Sequence, residues 1–429
     1  MSRPEPGAGP VTEGQVTEGA GGRPGTGVPD LLYGQAETEL RDAVRSVLAD
    51  HAAWRDVLAR TESERTWDPD LWHALAATVG CAGLLIPEAL GGAGASYREV
   101  AVVAEETGRA VAPVPFLGSA VIATTALLGL LDGGTDGGLP AGGKPGVASD
   151  GGDAASGPVA KLLTGLASGA STVALAVPFA TMPAGVVAPA VRIGPPEPGD
   201  PDSATRLTGT ISGVADALAA DVLLVPADGV PAGLYRVATS DPGVRITALT
   251  SLDMTRQLCE LTLSGAVGER IAAGRGAAAA VAAGLRAGAG ILASEQLGLA
   301  ERALELTVDY AKQRHQFGRR IGSLQAIKHR LADLWIAVTQ ARAAARYAAA
   351  CLAMAAADTD LAVALAKAAC SDIALRAGEE MVQLHGGIGF TWEHPAHLYL
   401  KRAKSASIAL GSADRHLAEL ARLAGLPPA

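Results

Sequence analysis

The chain has 429 residues, 49% of them hydrophobic and 18% charged, which is too long for one ordinary core and suits two or three domains of about 100–200 residues. Its 35 basic and 44 acidic side chains leave a net charge of −9, which argues against a general nucleic-acid or anionic-membrane binder, since both need a basic footprint. The four cysteines, Cys81, Cys259, Cys351 and Cys370, form neither a CxxC pair nor a short disulfide framework, so a reducing, cytoplasmic setting is expected.

Residues 1–30 are rich in Gly, Pro, Glu and Thr, with no apolar core of the kind a signal peptide requires. A disordered tail is expected there. No apolar run free of Gly and charge approaches the roughly 20 residues of a membrane span; alanine inflates the hydrophobic content. Residues 31–131 read as a helical domain. Leu40, Val44, Val47 and Leu48 recur at helical steps, and Asp68 before Pro69 is a candidate N-cap of a helix over Asp68–Val79. Pro87 and the glycines of LLIPEALGGAG then demand a turn, and another helix is expected over Tyr97–Val111.

The Gly/Ala/Asp-rich stretch 132–158 reads as a flexible linker. Residues 159–269 follow as a β domain. Short β-branched runs at Thr172–Val177, Val186–Ile193, Arg206–Ile211, Asp221–Val225, Gly233–Val237, Val244–Thr247 and Cys259–Leu263 predict an antiparallel sheet or small barrel. Residues 270–429 are helical again: Leu285, Leu292, Leu299 and Leu306 repeat every seven residues, while Leu331, Leu334, Trp335 and Val338, and Leu361, Leu365, Ile373 and Met381, supply further apolar faces. The predicted architecture is α+β: helical domain, β domain, helical bundle.

Two segments break the helical pattern with Gly and charge: YAKQRHQFGRRIGSL over Tyr310–Leu324 and QLHGGIGFTWEHP over Gln383–Pro395. With LLIPEALGGAG, VVAEETGRA, LTGTISGVADALAADVLLV and SLDMTRQLCELTL in the same order, they resemble the acyl-CoA dehydrogenase family from Ala36 to about Ala424. The resemblance implies FAD as cofactor, an acyl-CoA or acyl-carrier thioester as substrate, a homo- or hetero-tetramer with a related subunit, and electron-transfer flavoprotein as a candidate acceptor. It also implies that Arg314 reaches the FAD pyrophosphate of a neighbouring subunit, a role suited to the bidentate donors of guanidinium. Gln316, Phe317 and Gln325 would lie along the same dinucleotide. Gln383, Gly386 and Gly387 would bring backbone close to its ADP part. Charge clustering alone would leave Arg314 a solvated cation beside Lys312, His315, Arg319 and Arg320, and Phe317 reads equally well as a core aromatic.

Two other patterns carry less. GAGILA over Gly288–Ala293 satisfies GxGxxA but follows no strand, so it is read as helix rather than dinucleotide fingerprint. His394 and His397 form an HxxH pair with no third ligand of matching spacing, and no metal site is expected.

The catalytic carboxylate is where this chain departs from the family. The family abstracts the α-proton of an acyl thioester with a carboxylate while the β-hydrogen leaves as hydride to the flavin. Alignment through QLHGGIGF puts Leu410 at the usual position of that base, and alignment through Tyr310 puts Gly288 at the alternative one. Glu295 lies about 10 Å further along the same helix and reads as a packing or intersubunit contact; Asp414 is one turn, about 6 Å, beyond Leu410. Both stay as secondary candidates for the base. Val177, Pro178 and Phe179 offer the flavin ring few hydrogen-bonding side chains. The leading expectation is therefore the base-lacking partner in a heteromeric acyl-CoA dehydrogenase. The alternatives are a flavin enzyme of different chemistry in biosynthesis and a flavin-free scaffold homologue.

Overall fold

The computed structural model describes residues 29–132, 157–185, 187–194 and 205–427. The tail expected over 1–30 and the linker expected over 132–158 therefore fall almost wholly outside the described residues. Helices α1 (Gln35–His51), α2 (Trp54–Thr61), α3 (Pro69–His73), α4 (Tyr97–Arg109), α5 (Thr124–Asp132) and α6 (Pro158–Ala167) form the N-terminal helical layer. Asp68 caps α3 as expected, accepting the N–H groups of Asp70 and Leu71 at 3.1 and 3.0 Å with Pro69 in the first turn. Helix α6 was not anticipated. Its buried Leu162, Leu163 and Leu166 form a helical stripe in a segment read as the start of the β domain.

Strands β1 (Val173–Leu175), β2 (Val191–Ile193), β3 (Thr205–Ala215), β4 (Val222–Asp228), β5 (Gly233–Ala238), β6 (Val244–Ala248) and β7 (Leu258–Ala273) make the middle layer. The sheet is mixed, because β4 runs parallel to both β1 and β2 while the other pairings are antiparallel. Pairing from β4 through β2, β3, β7 and β5 returns to β4, so five strands close a small barrel around Leu207, Leu223, Tyr235 and Leu261. Strands β3 and β7 run beyond the segments expected from composition, since each carries glycines inside its pairing.

The C-terminal layer consists of α7 (Gly274–Gln313), the hairpin β8 (His315–Gln316) and β9 (Arg319–Arg320), α8 (Gln325–Met354), α9 (Thr359–His385), α10 (Ala396–Ile408) and α11 (Ala413–Leu423). The heptad leucines Leu285, Leu292 and Leu299 of α7 are buried as expected. On α8 and α9 the large residues misled the sequence reading. Trp335 is 60% exposed and Leu365 is 38% exposed, while Ala341, Ala345, Ala362, Ala366 and Ala374 are buried. Alanine faces let helices approach closely, and the bulky side chains are left to point away. Helix α7 is long and apolar enough to cross a membrane, yet 67% of its most apolar window is buried within the protein.

The contact between α4 and α7 sets the tightest constraint. A Cβ at Gly298 would lie 1.9 Å from the Glu105 carbonyl oxygen, and one at Gly108 would lie 2.1 Å from that of Glu295. Gly298→Ala is therefore expected to destabilise the chain by about 1–3 kcal/mol or more through overpacking, read from denaturant midpoints. Gly276→Ala, at a position where a Cβ meets nothing within 4 Å, should leave the midpoint unchanged or higher.

Candidate functional site

All three layers meet at a small apolar pocket. Gly118 and Ile122 line it from the π-helical segment Phe116–Ala123, Leu175, Val177, Phe179 and Ala215 from the β layer, and Leu285 of α7 and Leu410 of the turn after α10 from the C-terminal layer. A Cβ built on Gly288 would lie 2.6 Å from Ile122 Cγ1 and 3.2 Å from Leu410 Cδ1. The two base positions taken from sequence thus face one another across a single point. Neither can accept a proton, and the space for a side chain at 288 is already filled.

The turn that presents residue 410 is elaborately held. Leu410 has φ 55° and Gly411 φ 100°, and a left-handed leucine persists only where its surroundings over-determine it. The Leu410 N–H donates to the Phe179 carbonyl at 2.7 Å, and His416 Nε2 donates to the Leu410 carbonyl at 2.8 Å. Below the turn, the buried Lys367 ammonium donates to Ser371 Oγ at 2.8 Å, the Ala406 carbonyl at 3.0 Å and the Gly411 carbonyl at 3.2 Å; burial pulls its pKa down to about 8.

Glu295 is 2% exposed and lies away from the pocket lining, in a charged cluster. One oxygen accepts Arg256 at 2.5 Å and the other accepts Arg402 at 2.8 Å. Arg402 also reaches Thr255 Oγ1 at 3.0 Å and Asp253 at 3.5 Å. Burial pushes the Glu295 carboxyl up, but the two guanidiniums outweigh it and hold the group below the usual carboxylate range. That is the polar packing contact expected from sequence. Asp414 is exposed in the first turn of α11 and lies outside the pocket lining.

The residues assigned to the dinucleotide lie elsewhere. Arg314 ends α7; its N–H donates to the Tyr310 carbonyl, its carbonyl accepts Ile321, and its exposed guanidinium has no partner among the described residues. Gln316 lies in the hairpin that follows, and Phe317 at its tip, 88% exposed, has φ 54°. An exposed phenylalanine in a left-handed turn position is costly as packing and points outward as a contact. Gln325 opens α8, Gln383 is exposed near the end of α9, and Gly386 and Gly387 follow, where an added Cβ would meet nothing within 4 Å. The two sequence motifs are joined by rings: Tyr310 stacks on His385 at 4.3 Å, His385 packs on His394 at 4.1 Å, and the Tyr310 hydroxyl donates to the His385 carbonyl at 3.3 Å. Burial, then the neighbouring His385 and His397, pulls His394 down to about 4. An unpaired guanidinium, exposed amides and open glycine backbone fit an ADP-type group. The inner pocket is lined by apolar side chains, Phe179 and Leu410 among them.

Sequence reasoning did not single out Arg256, Arg402, Lys367 or His416. Only Lys367 left a readable signal, a charge in phase with Val363 and Cys370 on an otherwise apolar helix face.

A three-layer fold of this kind, with a pocket at the junction and a clasp beyond it, defines an acyl-CoA dehydrogenase architecture. The family models for the acyl-CoA dehydrogenase N-terminal and C-terminal domains match residues 34–136 and 274–424. Acyl-CoA dehydrogenase IpdE2 of Mycobacterium tuberculosis is 37% identical over 87% of this chain and 92% of its own length. Among solved structures, a variant of the Tcur3481–Tcur3483 steroid ACAD is 32% identical with a TM-score of 0.73, covering 91% of this chain and 98% of its own. A chain of the ChsE4–ChsE5 complex of Mycobacterium tuberculosis is 28% identical with a TM-score of 0.74, covering 93% of this chain and 100% of its own. The chain belongs to the acyl-CoA dehydrogenase family of FAD-dependent oxidoreductases.

If Glu295 is a structural carboxylate, Glu295→Gln leaves two buried guanidiniums short of their anion and should cost about 3–5 kcal/mol of stability, measured by chemical denaturation. A variant as stable as the parent would free Glu295 for another role.

Proposed function

We propose that this chain is the base-lacking subunit of a heteromeric acyl-CoA dehydrogenase, which carries out α,β-dehydrogenation of a bulky acyl thioester and passes electrons to an electron-transfer flavoprotein. The carrying observation is the contrast between the two halves of the site. Both base positions, Leu410 and Gly288, are apolar and packed together, whereas Arg314, Gln316, Phe317, Gln325, Gln383, Gly386 and Gly387 are all exposed. The names of the steroid ACAD and ChsE4–ChsE5 neighbours support both the bulky substrate and the paired assembly.

In this reading the FAD belongs to the partner's pocket, where it supplies the hydride acceptor. This chain holds its outer end. Arg314 pairs the pyrophosphate, and the amides of Gln316, Gln325 and Gln383 offer donors and acceptors along the dinucleotide. Phe317 supplies a flat apolar face, and Gly386 and Gly387 admit the ADP part against bare backbone. The α-proton is taken by a carboxylate of the partner.

Arg314→Ala should lower the flavin occupancy of the co-purified assembly, because a desolvated charge-assisted pair contributes about 1.5–3 kcal/mol, roughly tenfold or more in affinity. Arg319→Ala, on the far strand of the same hairpin, serves as the charge control and should change occupancy little. Equal behaviour of the two variants would return Arg314 to the solvated surface. Leu410→Glu places an acid at the family position, and it should still give no acyl-CoA oxidation by the chain alone, because no flavin ring is aligned opposite it and transfer falls steeply with about 1 Å of misplacement. A flavin-loaded, active homomer from that single change would contradict the partner role.

A further inference from the structure

A second crevice lies beside the apolar pocket and shares no lining residue with it. Trp67, Pro113 and Pro115 come to it from the N-terminal layer, Asp216 and Leu218 from the stretch after β3, and Thr255 and Gln257 from the connection before β7. Measured out to its mouth it holds about 240 Å³, of which enough is enclosed for a single water-sized group. Its walls are aromatic and apolar, and its polar groups are acceptors left open.

Asp216 is 8% exposed. Its Oδ2 accepts the Gly118 N–H at 3.1 Å, while Oδ1 meets no donor among the described residues and is not sealed from solvent. The Gln257 carboxamide has no hydrogen-bond partner among the described residues either. Thr255 Oγ1 donates to Asp253 and accepts Arg402, which leaves one of its two lone pairs free. The same threonine joins the crevice to the ionic cluster behind it. There Glu295 takes both Arg256 and Arg402, and Arg402 is shared with Asp253, so with Asp216 three carboxyls face two guanidiniums. The group is one cation short, and a buried carboxyl without a counter-charge is disfavoured.

We propose that this crevice binds a primary alkylammonium group, its nitrogen at Asp216 Oδ1 and its alkyl part against Trp67 and the two prolines. An ammonium has three donors and no acceptor, which matches the open acceptors of Asp216, Gln257 and Thr255. It is the size of a water molecule, whereas a planar guanidinium outgrows the enclosed space. A carboxylate beside an aromatic wall also selects a cation over its neutral isostere. Burial raises the pKa of Asp216 against the pull of Arg256 and Arg402, so a proton is the rival for this oxygen, and an entering ammonium displaces it. The site uses neither the residues of the clasp nor those around Leu410, and its test is independent of flavin and of any partner subunit.

A free amine and a lysine side chain present the same group, and calorimetric titration of the full chain separates them. The probes are n-butylammonium for the free amine and Nα-acetyl-lysine amide for the side chain, with n-butanol and tetramethylammonium as controls. Neutral pH and about 0.15 M salt screen the surface carboxylates. One or both primary ammoniums should saturate a single site at least about tenfold more tightly than either control, and the tighter of the two identifies the source. Asp216→Asn should weaken that binding about tenfold or more, the usual loss when a charge-assisted partner goes. Gln257→Leu, at a half-buried position, should weaken it about threefold or more and carries the test if Asp216→Asn does not fold. The proposal is overturned if neither ammonium saturates a site, if either folded variant keeps the parent's affinity, or if n-butanol binds equally well, which would mark Asp216 as a neutral acid.

Discussion

Glu295, a buried carboxylate, receives one guanidinium from the β layer and another from the C-terminal helices while its own helix, α7, meets α4 backbone to backbone at Gly298 and Gly108. Removing Glu295 leaves Arg256 without its anion and Arg402 with only its longer contact to Asp253, in a medium where an unpaired charge costs several kcal/mol, so the β layer and the C-terminal helices are tied together at this residue. The pocket inherits that rigidity. Arg256 lies over the Phe179 ring at 5.3 Å, Phe179 receives the Leu410 N–H, and Arg402 sits on the helix that ends just before Leu410. The wall that would face a substrate is thus tied back to Glu295 by contacts that do not depend on a ligand.

This arrangement separates geometry from chemistry. The turn at residue 410 retains its left-handed backbone, its hydrogen bonds to Phe179 and His416 and the lysine beneath it, although the side chain it presents is apolar. A turn of that cost with no acid to aim is intelligible if the backbone serves packing, sealing the pocket with Leu410 against Ile122 and Phe179. The clasp follows the opposite logic. Phe317 and Arg314 are left outside any core, and the stacked Tyr310, His385 and His394 tie its two arms together. The pocket is closed by apolar side chains while the clasp residues are exposed, a contrast that supports the proposed partner role.

Much of the fold was legible because it rests on local rules: the Asp68 cap, the α7 leucine heptads and the Gly/Pro-punctuated strands each follow from spacing. The exceptions share a cause. The faces of α8 and α9 were misassigned at Trp335 and Leu365 because burial there goes to alanine, whose small size is invisible to a scale that rewards large apolar residues. The parallel pairing of β4 with β1 and β2 depends on which strands meet in space, which no window of sequence contains. At the site, Leu410 and Gly288 could be named from motif alignment, but not their contact, since residues 122 apart in the chain meet only through the packing of α7 on the 410 turn. The ionic cluster was illegible for the same reason, because Asp253, Glu295 and Arg402 are far apart in sequence.

The partner-subunit account stands or falls on flavin stoichiometry. The chain should be purified alone and then co-purified with an acyl-CoA dehydrogenase subunit that carries the catalytic glutamate, with FAD counted per polypeptide from the denatured absorbance. The account predicts little or no FAD on the chain alone and one FAD per pair of chains in the mixed assembly. One FAD per chain on the homomer, with acyl-CoA oxidation to match, would contradict it.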